Sequence, residues 1–144
     1  MAKNTRNDPY GRFNFLLEID GAVKAGFSEV SGLTTETAVI EYREGSDRTP
    51  PRKLPGLTKY SNLVLKRGLT KDRSLWDWRK TVIDGAVRRA NLSIILLDDS
   101  RQEVLRWSFR EGWPCKWEGP ALNAKASEVA IETLEIAHEG FDLA

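Results

Sequence analysis

Residues 12–21 read RFNFLLEIDG. Phe13, Phe15, Leu17 and Ile19 fall on one face of an extended chain, with Asn14 and Glu18 on the other, the period-two pattern of a half-buried strand. Asp20-Gly21 follows at once, and Asp-Gly marks a two-residue hairpin because both turn positions need positive φ. AVKAGFSEV then returns as a second strand. The opening of the chain is therefore an antiparallel hairpin, and the fold is expected to grow from it.

Downstream the same pattern recurs. Gly32 breaks it before TTETAVIEY, a β-branched strand that sets Thr35, Thr37, Val39 and Glu41 opposite Ala38, Ile40 and Tyr42. Tyr60–Arg67 alternates again and Gly68 closes it, so strands at 35–42 and 60–67 are expected to pair. Between them lies EYREGSDRTPPRKLP, residues 41–55, with seven charged residues, three prolines and no large aliphatic side chain before Leu54. Most connections in compact domains span about 4–6 residues. An extended loop at about 43–57 is thus either functional or disordered.

The period then changes. Ser74 is placed to cap a helix with Asp77 at its N3 position. Over residues 74–90, Leu75, Trp78, Val82, Ala86 and Ala90 share a helical stripe bordered by Trp76, Ile83 and Val87. Asp77, Lys80, Asp84 and Arg88 lie opposite, while Arg79 and Arg89 fall inside the apolar arc, where a helix packed only on its own core has no use for them. NLSIILLD reads as a strand covered on both faces. EVLRWSFRE alternates, and a short WPCKWEGP follows, bounded by glycine and proline. In ASEVAIETLEIAHEGF, Val129 and Ile131, then Leu134 and Ile136, alternate with one phase slip, which a bulged strand explains. The sum is seven or eight strands and one helix: a mainly β, antiparallel two-sheet barrel or sandwich with a helix packed on it.

At 144 residues the chain (1–144) reads as a single domain with a real core. Its net charge of +1 gives no field that recruits nucleic acid or an anionic membrane. Cys115 is alone, which excludes an internal disulfide. The start, MAKNTRNDPYGR, lacks the apolar core of a signal peptide, and no apolar run reaches the ~20 residues of a membrane span.

The search for chemistry finds little. His138 is the only histidine, and neither it nor Cys115 sits in a nucleophile-elbow or papain-like context, so both read as structural. Together they supply two of the three or four N/S ligands that zinc needs. No phosphate-binding glycine pattern occurs. Asp98-Asp99 reads as a turn, and Glu132/Glu135 as ordinary paired acids. The basic spots Arg88-Arg89 and Arg52-Lys53 leave a small-barrel nucleic-acid-binding module as the alternative, with the five tryptophans as its stacking platform. Core and interface bulk is the plainer reading of those rings.

DPYGRFNFLLEIDG, AGFSEVSGL, IEYREGSD, KLPGLTKYSNLVLKRG, LWDWRK, WPCKWEGPALNA and EVAIETLEIAHEGF, in this order from Asp8 to Phe141, resemble the tail tube protein family of contractile-tailed phages. That family includes the inner tube proteins of extracellular contractile injection systems. The pattern departs at ALNAKASEV, where the family carries Asn or Gly near Ala126-Ser127. The resemblance implies a fold related to the haemolysin-coregulated protein, two antiparallel sheets closed as a barrel plus one helix. It also implies a non-enzymatic structural subunit without cofactor or metal. Six copies would form a ring, and rings would stack into a hollow tube. A sheath would surround it, baseplate and terminator or cap proteins would close its ends, and an effector or DNA would pass through the lumen. The particle is expected to assemble in the cytoplasm, as a phage tail, an injection particle or a type VI-like device. Within that picture the 43–57 loop, through Arg43, Glu44, Asp47, Arg48, Arg52, Lys53, Leu54 and Pro55, reaches a neighbouring subunit or ring, and Arg79 and Arg89 form a helix-face contact.

Overall fold

The computed structural model describes residues 14–45, 50–122 and 130–144. The expected alternation at Phe13 and Val129 and the turn at Ala126-Ser127 lie outside them. The opening hairpin is as the sequence dictates: β1 (Phe15–Ile19) and β2 (Ala22–Phe27) pair antiparallel, with Asp20 at φ 52° and Gly21 at φ 86°. Both turn residues take the positive φ that Asp-Gly tolerates.

Two antiparallel sheets build the body. In the first, β2-β1-β7-β8 run side by side, with β7 (Ala90–Leu97) against β8 (Glu103–Glu118), and β10 (Phe141–Leu143) flanks β8. In the second, β8-β9-β6-β3 follow, formed by β9 (Ile131–Ala137), β6 (Leu63–Gly68) and β3 (Glu29–Ser31). One strand serves both sheets. The first half of β8 pairs with β7 and its second half, Trp113–Glu118, with β9. The strand turns where Glu111 takes φ 52° next to Gly112, a glycine whose missing Cβ leaves room for Leu92. At the other end of the path β2 and β3 are consecutive, separated by Ser28 alone. Strands that change sheets at bends give a sandwich its corners. The hydrogen-bonded path is not a closed ring, so the fold is a sandwich rather than the closed barrel the resemblance implied.

Between the sheets lie Leu17, Phe27, Leu63, Leu65, Leu92, Ile94, Phe109, Leu134 and Ile136, all fully buried. Ile95, on the opposite face of β7, is buried as well, as a strand covered on both sides requires. The core also admits charge. Arg67 and Glu132, directly opposite on β6 and β9, form a buried ion pair. Trp117 Nε1 donates to Glu132 Oε2 at 3.1 Å, and Arg67 Nη1 reaches Asp72 at 3.7 Å. The guanidinium carbon stands 5.6 Å from the centre of the Phe27 ring. A paired and hydrogen-bonded charge avoids most of the penalty an isolated buried ion incurs.

This polar end of the core anchors α1 (Ser74–Ile83), where Leu75 and Trp78 are buried and Trp76 meets Trp117 edge-on at 5.0 Å. The helix starts differently from expectation. Arg73 is the N-cap and Ser74 the first helical residue; Asp72 Oδ1 accepts the Ser74 amide at 3.0 Å, which holds the Asp72 carboxyl below its usual range. It also ends earlier, at Ile83 rather than Ala90. Gly85 sits at φ 84°, with Gly85 N–H donating to Val82 O and Ala86 N–H to Thr81 O, the pair of bonds of a Schellman stop. Among the described residues no helix is long and apolar enough to cross a membrane.

The larger correction concerns 43–68. Strand 35–42 does not pair with 60–67. It is β4 (Thr35–Tyr42), and its partner is β5 (Arg52–Tyr60), paired antiparallel from Thr35↔Tyr60 to Tyr42↔Arg52 with one register shift between Thr37 and Val39. Much of the expected loop is strand, and β6 begins only at Leu63. There are ten strands among the described residues, not seven or eight. The bulge expected in the last strand is absent too. Residues Ile131–Ile136 of β9 face β6 in unbroken register, and the phase slip in the sequence arises because Glu132 points inward at Arg67 while Ile131 faces out.

Gly32 joins β3 to β4 at φ 90°, and a Cβ there would lie 2.0 Å from the Asn62 carbonyl oxygen. Gly32→Ala combines backbone strain with a collision against main chain, whereas Gly21→Ala, at a similar φ of 86° in open space, brings strain alone. Chemical denaturation is expected to show Gly32→Ala losing about 2 kcal/mol or more and Gly21→Ala about 1 kcal/mol. Equal losses would show that Asn62 yields freely.

Candidate functional site

β4 and β5 form a two-stranded ribbon of their own, hydrogen-bonded to no other strand among the described residues. At about 3.3 Å per residue, the eight residues of β4 make it roughly 26 Å long. Its foot is the β3/β6 ladder, extended by Ser61 N–H donating to Thr34 O at 3.1 Å. We refer to residues 35–60 as the arm.

Alternation along the arm leaves two faces, neither covered by the body. One carries Thr35/Tyr60, Thr37/Thr58, Val39/Pro55 and Glu41/Lys53 as cross-strand pairs, with the Thr37 and Thr58 hydroxyls 2.8 Å apart. The other carries Glu36/Lys59, Ile40/Leu54 and Tyr42/Arg52. Gly56 lies under Ile40, where a Cβ would meet the Ile40 side chain at 3.1 Å. Val39 is 63% exposed, Ile40 51% and Leu57 85%. Opposite charges facing one another at Glu36/Lys59 and Glu41/Lys53 favour this register. Pro55, which has no amide to donate, is tolerated because a two-stranded ribbon has only edge strands.

The residues singled out from sequence separate accordingly. Arg52, Lys53, Leu54 and Pro55 belong to β5 itself. Arg43 and Glu44 lie beyond β4 in the connection, where the Tyr42 hydroxyl donates to Glu44 Oε1 at 3.3 Å. Asp47 and Arg48 lie outside the described residues. Arg79 is on α1, half-buried, and its Nη1 donates to the Pro114 carbonyl at 3.4 Å. Arg89 is past the helix and pairs with Glu139 at 3.3 Å, half exposed. Neither of these bonding partners belongs to the arm.

Sequence reasoning missed the junction beneath the arm. Tyr60 and Phe109 pack against Phe141 with ring centres 5.3 Å apart in both cases, and His138 fits between them. His138 Nε2 lies 2.9 Å from the Ser61 carbonyl oxygen, and Nδ1 accepts the Gly140 amide at 3.1 Å. Burial pushes the imidazole below its ordinary value. Cys115 is half-buried beside Glu135, its thiol pushed up by burial. Among the described residues no His, Cys, Asp and Glu side chains gather as a metal site. Trp78 is buried and the other four tryptophans are half-buried, an arrangement that gives the nucleic-acid reading no support.

Comparison with known proteins agrees with this geometry. The family model described as T4-like virus tail tube protein gp19 matches residues 11–142. No curated protein sequence matches the chain. A chain of an extracellular contractile injection system, the PVC sheath-tube complex in the extended state, is 21% identical with a TM-score of 0.80 and covers 99% of each chain. A chain of the anti-feeding prophage baseplate, 6-fold symmetrised, is 23% identical with a TM-score of 0.79, covering 100% of this chain and 97% of its own. Hcp1 from Flavobacterium johnsoniae shares the fold more distantly, at 17% identity and a TM-score of 0.56 over 91% and 94% of the two chains. With the family model spanning nearly its whole length, the chain belongs to the T4-like virus tail tube protein family.

Proposed function

We propose that this chain is the repeating subunit of the inner tube of a contractile injection machine. Six copies close a ring, rings stack into a hollow tube, and the arm of each subunit is the element that registers it on its neighbours. The observation that carries this reading is the arm, a ribbon whose two faces both bear apolar side chains without cover. An isolated two-stranded hairpin is marginally stable in water. Fully covering a Val, Leu or Ile side chain contributes about 1.5–3 kcal/mol, so two faces pressed between other copies gain stability the ribbon lacks alone. Alternating Glu and Lys or Arg along the same ribbon fix register and reject wrong partners. The 6-fold baseplate and the sheath-tube complex among the structural relatives support a six-membered ring with a sheath around it. Baseplate and cap proteins close the two ends, an effector or DNA moves through the lumen, and assembly takes place in the cytoplasm. The role is mechanical, and catalysis has no part in it.

Thr34 and Ser61 already meet across the foot, so residues 36–59 are replaceable by an Asn-Gly turn at little cost in closure entropy. The shortened chain is expected to keep the circular dichroism of a folded β-protein and to form no long tubes by electron microscopy; tubes of normal length would show the arm to be a solvated excursion. Reversal of Arg52 and Lys53 to Glu is expected to shorten tubes at low salt, with partial recovery as screening increases. An effect independent of salt would show that charge is not what these two side chains supply to assembly. Replacing Arg79 and Arg89 with Ser removes only a carbonyl contact and a surface pair, a combined loss of about 1 kcal/mol or less. Thermal melting is expected to change by a few degrees at most while assembly weakens; unchanged assembly would mean neither arginine meets a neighbour.

A further inference from the structure

We propose that the arms join edge to edge: the acidic edge of one copy's ribbon, β4, lies along the basic edge of the next copy's, β5, so that the arms of a ring form one head-to-tail belt. This rests on the reading of the arm as the inter-subunit element and adds what that element grips.

The two strands of the ribbon carry opposite charge. The charged residues of β4 are Glu36 and Glu41, and those of β5 are Arg52, Lys53 and Lys59. All five are exposed. Glu36 faces Lys59 and Glu41 faces Lys53 across the ladder, yet none of the five forms an ion pair with another described residue. Their charge remains available to a group beyond the ribbon.

A ribbon of two strands has two open edges, each a row of N–H and C=O groups without a strand partner. Joining β4 to β4, or β5 to β5, relates two copies by a two-fold axis and sets like charges opposite one another, which destabilises a strand pair. Joining β4 to β5 sets Glu against Lys or Arg. That joint is heterologous, so it repeats from copy to copy and closes into a ring by rotation. Because β4 and β5 run in opposite directions, arms related by rotation keep the ladder antiparallel at every joint. Rotation also brings Glu41 level with the next copy's Lys53 and Glu36 level with its Lys59, since these residues are already level within one arm. Each of the two lysines then stands between its own acid and the neighbour's.

The β5 edge is interrupted in its middle. Pro55 has no amide to donate, and Gly56 and Leu57 together stand opposite the single residue Ala38. Such interruptions guard an edge against indiscriminate strand addition. Regular pairing is left to residues 52–54 and 58–60, the stretches that carry the bases. Each joint is therefore short, and a closed belt holds through the number of its joints. Both faces of the ribbon, with Val39, Ile40 and Leu54, remain for the bodies of other copies to cover.

Exchanging the two sets of charge tests the belt. In the full-length variant Glu36→Lys, Glu41→Lys, Arg52→Glu, Lys53→Glu and Lys59→Glu, each facing charge pair within the arm stays opposite in sign. So does each joint between two variant copies, whereas a variant beside a wild-type copy meets like charges on both sides. The variant is expected to fold, by circular dichroism, and to form rings and tubes of its own. In equal mixtures of wild type and isotopically heavy variant, native mass spectrometry at low salt is expected to find mixed rings about tenfold rarer than chance allows. Their share should grow as salt rises. Free mixing at low salt overturns the proposal. A folded variant that forms no rings with itself also overturns it, because the arm's charges then answer to a surface other than the next arm; the arm would still be the assembly element. Normal tubes from the chain lacking residues 36–59 would instead remove the arm reading, and a wild type that forms no rings overturns both. Should the variant fail to fold, carbodiimide coupling of wild-type tubes built from light and heavy copies decides. Joins of Glu36 or Glu41 to Lys53 or Lys59 that unite a light chain with a heavy one are expected, and joins confined to single chains overturn the belt.

Discussion

A two-stranded ribbon that leaves its parent sheet has no third strand and no opposing layer, so neither of its faces can be buried by its own chain. The arm is such a ribbon. In a sandwich strand, alternation sends every second side chain into the core; in β4 and β5 it sends Val39 one way and Ile40 and Leu54 the other, both into solvent. The chain carries this unfavourable surface on a foot fixed by Gly32, by the Ser61–Thr34 bond and by the aromatic cluster under Tyr60. In the proposed tube, a ribbon fixed at its foot and covered this little is closed off by other copies.

The body supplies the rigidity the ribbon needs. β8 belongs to both sheets, so a displacement of one is resisted by the other through a single continuous strand. Arg106 on β8 reinforces the first sheet by bonding Glu18 at 2.8 Å across β7 and Glu103 at 2.9 Å on its own strand. At one end of the core, Arg67 links β9, through Glu132, to the Asp72 that starts α1. Leu63 and Leu65 of the same strand, β6, are packed in the core, which seats the arm's foot on a buried strand.

What the sequence revealed follows from which side chains have a buried destination. The first hairpin was legible down to its turn because Phe15, Leu17 and Ile19 share one face and Asp20-Gly21 has one natural conformation. The family was legible because its motifs run along nearly the whole chain. β5 was not: RKLPGLTKY contains Pro and Gly and never alternates, since neither of its faces meets a core that would demand alternation. The helix was overextended because Ala86, Val87 and Ala90 continue the apolar wheel past Gly85, and only the backbone bonds reveal the stop. The phase of β9 was misread because an inward Glu132 looks like a surface residue until its partner Arg67, remote in sequence, is placed beside it. His138 stood out as the sole histidine, yet its role depends on Ser61 and Gly140, one of them far away along the chain.

The central claim is that the arm is completed by other copies of the same chain. A cryo-EM reconstruction of the wild-type protein assembled at neutral pH tests it most directly. The account predicts a hollow tube of stacked rings in which residues 35–60 lie between subunits and Ile40, Leu54 and Leu57 are covered. Arms projecting into solvent from the assembled particle, with those three side chains as exposed as in the single chain, would contradict it.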